Sequence, residues 1–172
     1  MSAPTAAAAL CCLTLTAAQA GVRQIPIEPG MTRISYTVFA LDLVPVTATF
    51  DRFHGAITED PSRPGSCTIQ VTIDVTSLHM DDPTRLHHAL ASDMLDAADF
   101  PTMRYEGACA PKSLVGNLTL HGVTHPLTLA MQRNGPQVNC AGTLVRRDYG
   151  ILGMSGLVAA DVRIRLNVHL PP

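Results

Sequence analysis

Hydrophobic and polar positions alternate with a period of two over most of this chain, a pattern that predicts strands with one buried face. The clearest run is Cys67, Ile69, Val71, Ile73 and Val75, set against Thr68, Gln70, Thr72 and Asp74. Leu118 and Leu120, then Leu127 and Leu129, alternate with small polar residues on either side of His121-Gly122. Gly122 can take the positive φ of a tight turn, so this stretch predicts a hairpin. Pro126, without an N–H, is expected at the start of the second strand and not at its centre. Ile34, Tyr36 and Val38 predict a first strand, and Val46, Ala48 and Phe50 begin a second. After Asp51-Arg52 the inward parity passes to Phe53, Gly55 and Ile57, which reads as a β-bulge within that one strand. Thr102 to Glu106 continuing past Cys109, Leu114 to Leu120, Val138 to Leu144, and Val162 to Leu170 supply the others. About eight strands at short spacing predict an all-β antiparallel sandwich or barrel.

Strand period fails between Ser77 and Ala98. Asp82-Pro83 predicts a helix start, with Leu86, Ala89 and Leu90 at helical spacing, and Ser92 is placed to cap a second short helix through Leu95. This is the single helical insertion expected. Residues 21–31 are expected to be extended, punctuated by Pro26, Pro29 and Gly30. Residues 21–172 show no repeat or linker and read as one domain.

Composition adds three constraints. With 47% hydrophobic but 4% aromatic residues, the interior must be built from Val, Leu, Ile, Ala and Met. A net charge of −2 gives no basic field for nucleic acid. Residues 1–20 carry no charged side chain, hold an Ala-rich apolar centre and end Ala18-Gln19-Ala20, an A-x-A cleavage pattern that predicts a signal peptide and export to the periplasm. Cys67, Cys109 and Cys140 follow it, none in CxxC spacing. If the third strand pairs antiparallel with the strand after the helical insertion, Val75 falls near Pro101, Val71 opposite Tyr105 and Cys67 opposite Cys109. That register predicts a Cys67–Cys109 disulfide; three free thiols are the alternative.

Several motifs resemble the YceI-like family. Leu118-Thr119-Leu120-His121-Gly122-Val123-Thr124-His125-Pro126-Leu127-Thr128-Leu129 is very close to its LTLHGVTKPVTL segment. Ile34, Tyr36 and Val38 resemble its IxFxV strand, and Phe50-Asp51-Arg52-Phe53-His54-Gly55 its FxxFxG. Arg85-Leu86-His87-His88, Asp93-Met94-Leu95-Asp96 and Phe100-Pro101-Thr102 resemble the helical segment, and Arg146-Arg147-Asp148-Tyr149-Gly150 is similar to R-x-D-F-G. The resemblance implies an eight-stranded antiparallel lipocalin-like β-barrel with a helical cap. It also implies a polyisoprenoid, isoprenoid quinone or fatty-acid derivative lying in the barrel. The chain departs from the family at Ala40-Leu41-Asp42, in place of His-Leu-Gly, and at Met94-Leu95, in place of a double Phe. Leu86 stands where the family has Asp after the Arg.

Candidate chemistry agrees with a binding protein. Inward Val, Leu, Ile and Met with little aromatic bulk, and small residues at Val46, Ala48, Gly55, Gly116 and Gly142, favour a dry tunnel over a filled core. Its expected lining is Ile34, Tyr36, Val38, Val46, Phe50, Ile69, Val71, Ile73, Met103, Tyr105, Leu118, Leu129, Ile164 and Leu166. Arg85 and His88, three apart on one helix, are candidate head-group contacts, with a structural tie to Asp93 or Asp96 as the alternative. His79, His87, His88, His121 and His125 lack zinc-ligand spacing, so no metal is expected. Gly153-Met154-Ser155-Gly156 is not a nucleophile elbow, and no P-loop or dinucleotide fingerprint occurs, so no enzyme and no cofactor other than a bound isoprenoid or acyl lipid is expected. The expected partner is a long-chain amphiphilic lipid; transient contact with a membrane or membrane protein, and homodimerisation, stay open. The alternatives are a ligand-free interaction module of a membrane redox or envelope-stress system and a lipid-processing enzyme.

Overall fold

The period-two runs assemble into a single antiparallel sheet in the computed structural model, which describes residues 21–63 and 65–170. Its strands are β1 (Arg23–Ile27), β2 (Thr32–Ala40), β3 (Val44–Phe50), β4 (Phe53–Glu59), β5 (Cys67–Asp74), β6 (Leu78–His79), β7 (Thr102–Ala110), β8 (Ser113–Leu120), β9 (Val123–Asn134), β10 (Gln137–Val145) and β11 (Asp161–His169). They are ordered β1-β4-β5-β7-β8-β9-β10-β11-β2-β3-β6. β3 runs into β4 through Asp51 and Arg52, yet the two stand near opposite ends of that order. The sheet is therefore curled until its ends meet, giving an all-β barrel-like wall. Main-chain bonds stitch this corner: Asp51 N to Ser77 O at 3.1 Å and Asp74 N to Arg52 O at 3.0 Å.

Eleven strands replace the eight expected, for identifiable reasons. The change of parity after Asp51-Arg52 is a corner and not a bulge, because β3 pairs with β2 and β6 while β4 pairs with β1 and β5. A bulge and a corner leave the same mark in sequence. β1 is held by its pairing with β4 despite Pro26 within it, which is tolerable on an edge strand. β6 is two residues long and exists only through its partner β3.

The helix is α1 (Pro83–Leu90), capped by the Asp82 carboxylate, which accepts from Thr84 N at 2.8 Å and Arg85 N at 3.2 Å. The second short helix expected through Leu95 is absent. Ala91 turns extended, and the amides of Leu95 and Asp96 return to the carbonyls of Ala89 and Ala91 instead of starting a new helix. The β8–β9 hairpin turns on His121 and Gly122, both at positive φ (52° and 72°), the geometry that matches the twist of two-residue hairpins. Pro126 lies inside β9, opposite Asn117, and not at the strand's start. At that level β9 pairs only with β8, since β10 joins it from Ala130 onward, so the missing N–H is tolerated on the unpaired side.

Val71 pairs with Tyr105 as the register reading requires, and Cys67 and Cys109 form a disulfide with Cα atoms 5.0 Å apart. Cys140 is a buried free thiol.

Candidate functional site

The inward faces of β2, β5, β7, β8, β9, β10 and β11, with Phe50 of β3, surround a cavity of about 140 Å³. Ala89 of α1 and Met94 and Leu95 of the following turns border it as well. Its walls are aliphatic apart from Phe50, Tyr36, Tyr105, Ser35 and Arg146. A space of this size is roughly ten times what one water needs, but a wall with so few polar partners leaves water unfavoured. Burial pushes the phenols of Tyr36 and Tyr105 up to about 12, with the neighbouring Cys140 adding to the rise at Tyr105. Tyr105 donates its hydroxyl to the Leu127 carbonyl at 3.1 Å.

Of the lining expected from parity, Ile34, Tyr36, Val38, Phe50, Val71, Ile73, Met103, Tyr105, Leu118, Leu129, Ile164 and Leu166 border this cavity. Val46 and Ile69 do not. Ile69 is buried one step toward the disulfide end, between Ile57 and Gly107 on the flanking strands, where the core is filled. Val46, Ala48, Gly55, Gly116 and Gly142, expected to leave the lumen open, border no part of it. At Gly55 a Cβ would run into the Gln70 carbonyl, and at Gly116 into the Glu106 carbonyl and Gly107 Cα. These glycines let strands approach closely; they do not enlarge the cavity.

Arg85 and His88 are exposed on α1, and neither borders the cavity. Arg85 Nε lies 3.4 Å from Asp82 Oδ2, so its partner is Asp82 and not Asp93 or Asp96.

The charge at the cavity comes from Arg146, which is 3% exposed. Nε donates to Ala159 O at 3.1 Å, Nη1 to Ile151 O at 3.1 Å and Gly153 O at 2.7 Å, and Nη2 to Val158 O at 3.2 Å. The Met94 sulfur lies 4.0 Å from Nη1. Four of the five N–H donors thus meet carbonyls, and among the described residues no carboxylate forms an ion pair with it. Desolvation, with Arg147 beside it, lowers its pKa. Arg146 belongs to the Arg146–Gly150 motif and is not among the tunnel residues expected from alternation. The signal was present: Val138, Cys140, Gly142 and Leu144 share its parity, and extending the alternation by two puts Arg146 inward.

The Leu118–Leu129 hairpin motif meets the Arg146–Gly150 motif beside this group. His121 Nδ1 lies 3.1 Å from Tyr149 O, and His125 Nε2 lies 2.9 Å from Asp148 O. Since carbonyls only accept, these nitrogens carry the hydrogens. Among the described residues no three His, Cys, Asp or Glu side chains are grouped to hold a metal ion. Cys140 is buried, and burial pushes its thiol up to about 11, away from the thiolate form a nucleophile needs.

The family model for the YceI-like domain matches residues 26–170. A UPF0312 protein of Pseudomonas putida (strain W619) is 28% identical, with 86% of each chain covered. A UPF0312 protein of Yersinia pestis (strain Pestoides F) is also 28% identical, covering 70% of this chain and 71% of its own. Among solved structures, Burkholderia cenocepacia BcnA superposes with a TM-score of 0.66 at 22% identity, over 80% of this chain and 94% of its own. A polyisoprenoid binding domain from Saccharophagus degradans, implicated in plant cell wall breakdown, superposes with a TM-score of 0.61 at 16% identity, over 88% of this chain and all of its own. At these identities the structures speak for the fold.

Proposed function

We propose that this chain, which belongs to the YceI-like family, is a non-enzymatic binding protein that holds an amphiphile by its long apolar tail. The observation that carries this reading is the aliphatic cavity with Arg146 at its border. Burying a hydrocarbon tail there is favoured by about 25 cal/mol per Å² removed from water. Polyisoprenoids, isoprenoid quinones and fatty-acid derivatives carry such tails, and the polyisoprenoid-binding neighbour of similar fold supports the first. Arg146, which among the described residues has one N–H that meets no carbonyl and has no ion-pair partner, is suited to a head group that accepts hydrogen bonds or carries negative charge. Export to the periplasm, with residues 1–20 removed and residues 21–172 as the mature domain, fits the A-x-A pattern at Ala18-Gln19-Ala20, which lies outside the described residues. The Cys67–Cys109 disulfide supports an oxidising compartment.

The test is mass spectrometry of an organic extract from protein purified without detergent, beside an unrelated exported barrel. A stoichiometric isoprenoid, quinone or acyl species is expected. An empty extract, together with no uptake of fluorescent fatty acid or isoprenoid probes by the folded protein, would overturn the reading in favour of a ligand-free interaction module.

A further inference from the structure

Arg146 is buried at the border of an otherwise apolar cavity, and among the described residues it forms no ion pair. The Asp93 carboxylate lies against Gly153, to whose carbonyl Arg146 donates, yet it makes no ion pair with the guanidinium. Carbonyls of residues 151–159 take up the other N–H groups, and the one left over is on Nη2. Carbonyl dipoles satisfy donors but supply no countercharge. A charge held out of water is costly until it is paired, and a donor left over beside a dry cavity adds to that cost. Desolvation, and then the adjacent Arg147, lower the pKa of this group, as expected of a cation short of negative partners.

The wall that leads away from Arg146 has a direction. Leu144 stands opposite Val162 across β10 and β11, then Ile164 opposite Tyr36 and Leu166 opposite Ile34 across β11 and β2. All six border the cavity. From Val162 to Leu166 this wall runs about 13 Å at the usual strand rise. Among the described residues that border the cavity, Arg146 carries the only charge, and it lies at the end of this wall, where β10 gives way to the loop.

We infer that the cargo is a monocarboxylic acid, held as its carboxylate against Arg146 with its tail along the wall toward Ile34 and Leu166. The inference rests on the amphiphile-holding reading above and narrows it to one class of head group. A carboxylate supplies in one group the acceptor that the Nη2 N–H lacks and the negative charge that the guanidinium lacks. A ketone, ester or amide supplies the acceptor alone. A phosphate or diphosphate brings more charge and more oxygens than one cation and one spare N–H can satisfy, and the largely aliphatic wall offers the rest little. The tail is fixed by burial and not by polar contacts, so a straight acyl chain and an isoprenoid acid share this chemistry.

The test is equilibrium dialysis of the folded protein, cleared of bound lipid, against radiolabelled dodecanoic acid, dodecanamide and dodecyl phosphate near neutral pH, each below its micelle-forming concentration. The acid is expected to bind about tenfold or more tighter than the amide, which matches it in size and tail, and tighter than the phosphate. High salt should leave that ratio in place, because a pair formed out of water is screened little. Arg146→Met should bring acid and amide to similar affinity, whereas Arg85→Ala, on α1 and outside the cavity, should leave the ratio unchanged. If Arg146→Met fails to fold, the wild-type ratios at low and high salt decide alone. An amide or phosphate that binds as tightly as the acid would overturn the inference. So would a preference for the acid that high salt abolishes, that survives in folded Arg146→Met, or that Arg85→Ala removes. In each of those cases the amphiphile reading stands; binding of none of the three ligands would defeat that reading and the inference together.

Discussion

His121 donates from Nδ1 to the main-chain oxygen of Tyr149 at 3.1 Å, fastening the β8–β9 turn to the 3₁₀ segment Arg146–Tyr149 that carries the buried arginine. Its ring also packs on Phe100, with centroids 4.5 Å apart. Replacing His121 by Ala leaves that carbonyl without its donor and is expected to cost about 1–3 kcal/mol in urea unfolding. Gly122→Ala should be destabilising for a separate reason. Its φ is +72°, and a Cβ would stand 2.7 Å from Phe100 Cε1. Phe100→Ala introduced beside Gly122→Ala should relieve only the steric part, a difference that a double-mutant cycle measures.

Arg146 donates to the carbonyls of Ile151, Gly153, Val158 and Ala159, so it holds the loop that leads into β11. Arg146→Met keeps the length and removes every donor, leaving buried carbonyls unpaired. The expected result is a loss of about 3 kcal/mol or more. Amide exchange should rise across residues 150–159 while β5, β7 and β8 stay protected; uniform exchange throughout the sheet would contradict the local role.

The disulfide closes a separation of 42 residues, and chain-entropy arguments give it about 4 kcal/mol. Unfolding in dithiothreitol should reveal a loss of that order. Cys140, buried and with its thiol pushed up to about 11, should resist iodoacetamide in the native state and react only after unfolding. Labelling of the folded protein, read by peptide mass, checks it.

Asp74 caps the 3₁₀ turn Val75–Ser77 and meets Arg52 at the β3–β4 corner, with Arg52 Nη2 to Asp74 Oδ2 at 2.8 Å. Its hydrogen bond from the Thr76 hydroxyl, followed by those from Arg52 and the Thr76 amide, holds the carboxyl below its usual pKa. A carboxyl lowered in the folded state binds fewer protons there than in the unfolded chain. Its contribution is therefore complete above the unfolded pKa, about 4, and disappears as pH falls through the lower folded value. Asp74→Asn should accordingly show a constant stability deficit near neutrality that shrinks in acid. A deficit independent of pH down to the acid transition would assign the effect to capping geometry alone.

Ile164 faces the cavity from β11 and is only partly buried. Ile164→Trp should occupy part of the space a tail would use, at an overpacking cost of about 1–3 kcal/mol. Recovery of amphiphile per folded protein is expected to fall severalfold, measured by extraction against an internal standard.

Alternation by itself determined the strand-rich class, the His121-Gly122 hairpin and the β5–β7 register that brings Cys67 to Cys109, because these follow from period two and counting along paired neighbours. The helix start at Asp82-Pro83 was likewise local, written in a cap and a proline. Contacts between distant segments decided the remainder. A change of parity at Asp51-Arg52 looks alike for a bulge and a corner, and only the partners of β3 and β4 distinguish them. β6 has two residues and no pattern of its own. The cavity's extent depends on which inward side chains fail to meet across the barrel, so Ile69 and Val71 share a parity and differ in role. An arginine is costly to bury until a particular loop supplies four carbonyls, and the fold of residues 151–159 over Arg146 supplied them. Arg85, on an amphipathic helix, had Asp82 three residues away and needed nothing from the cavity.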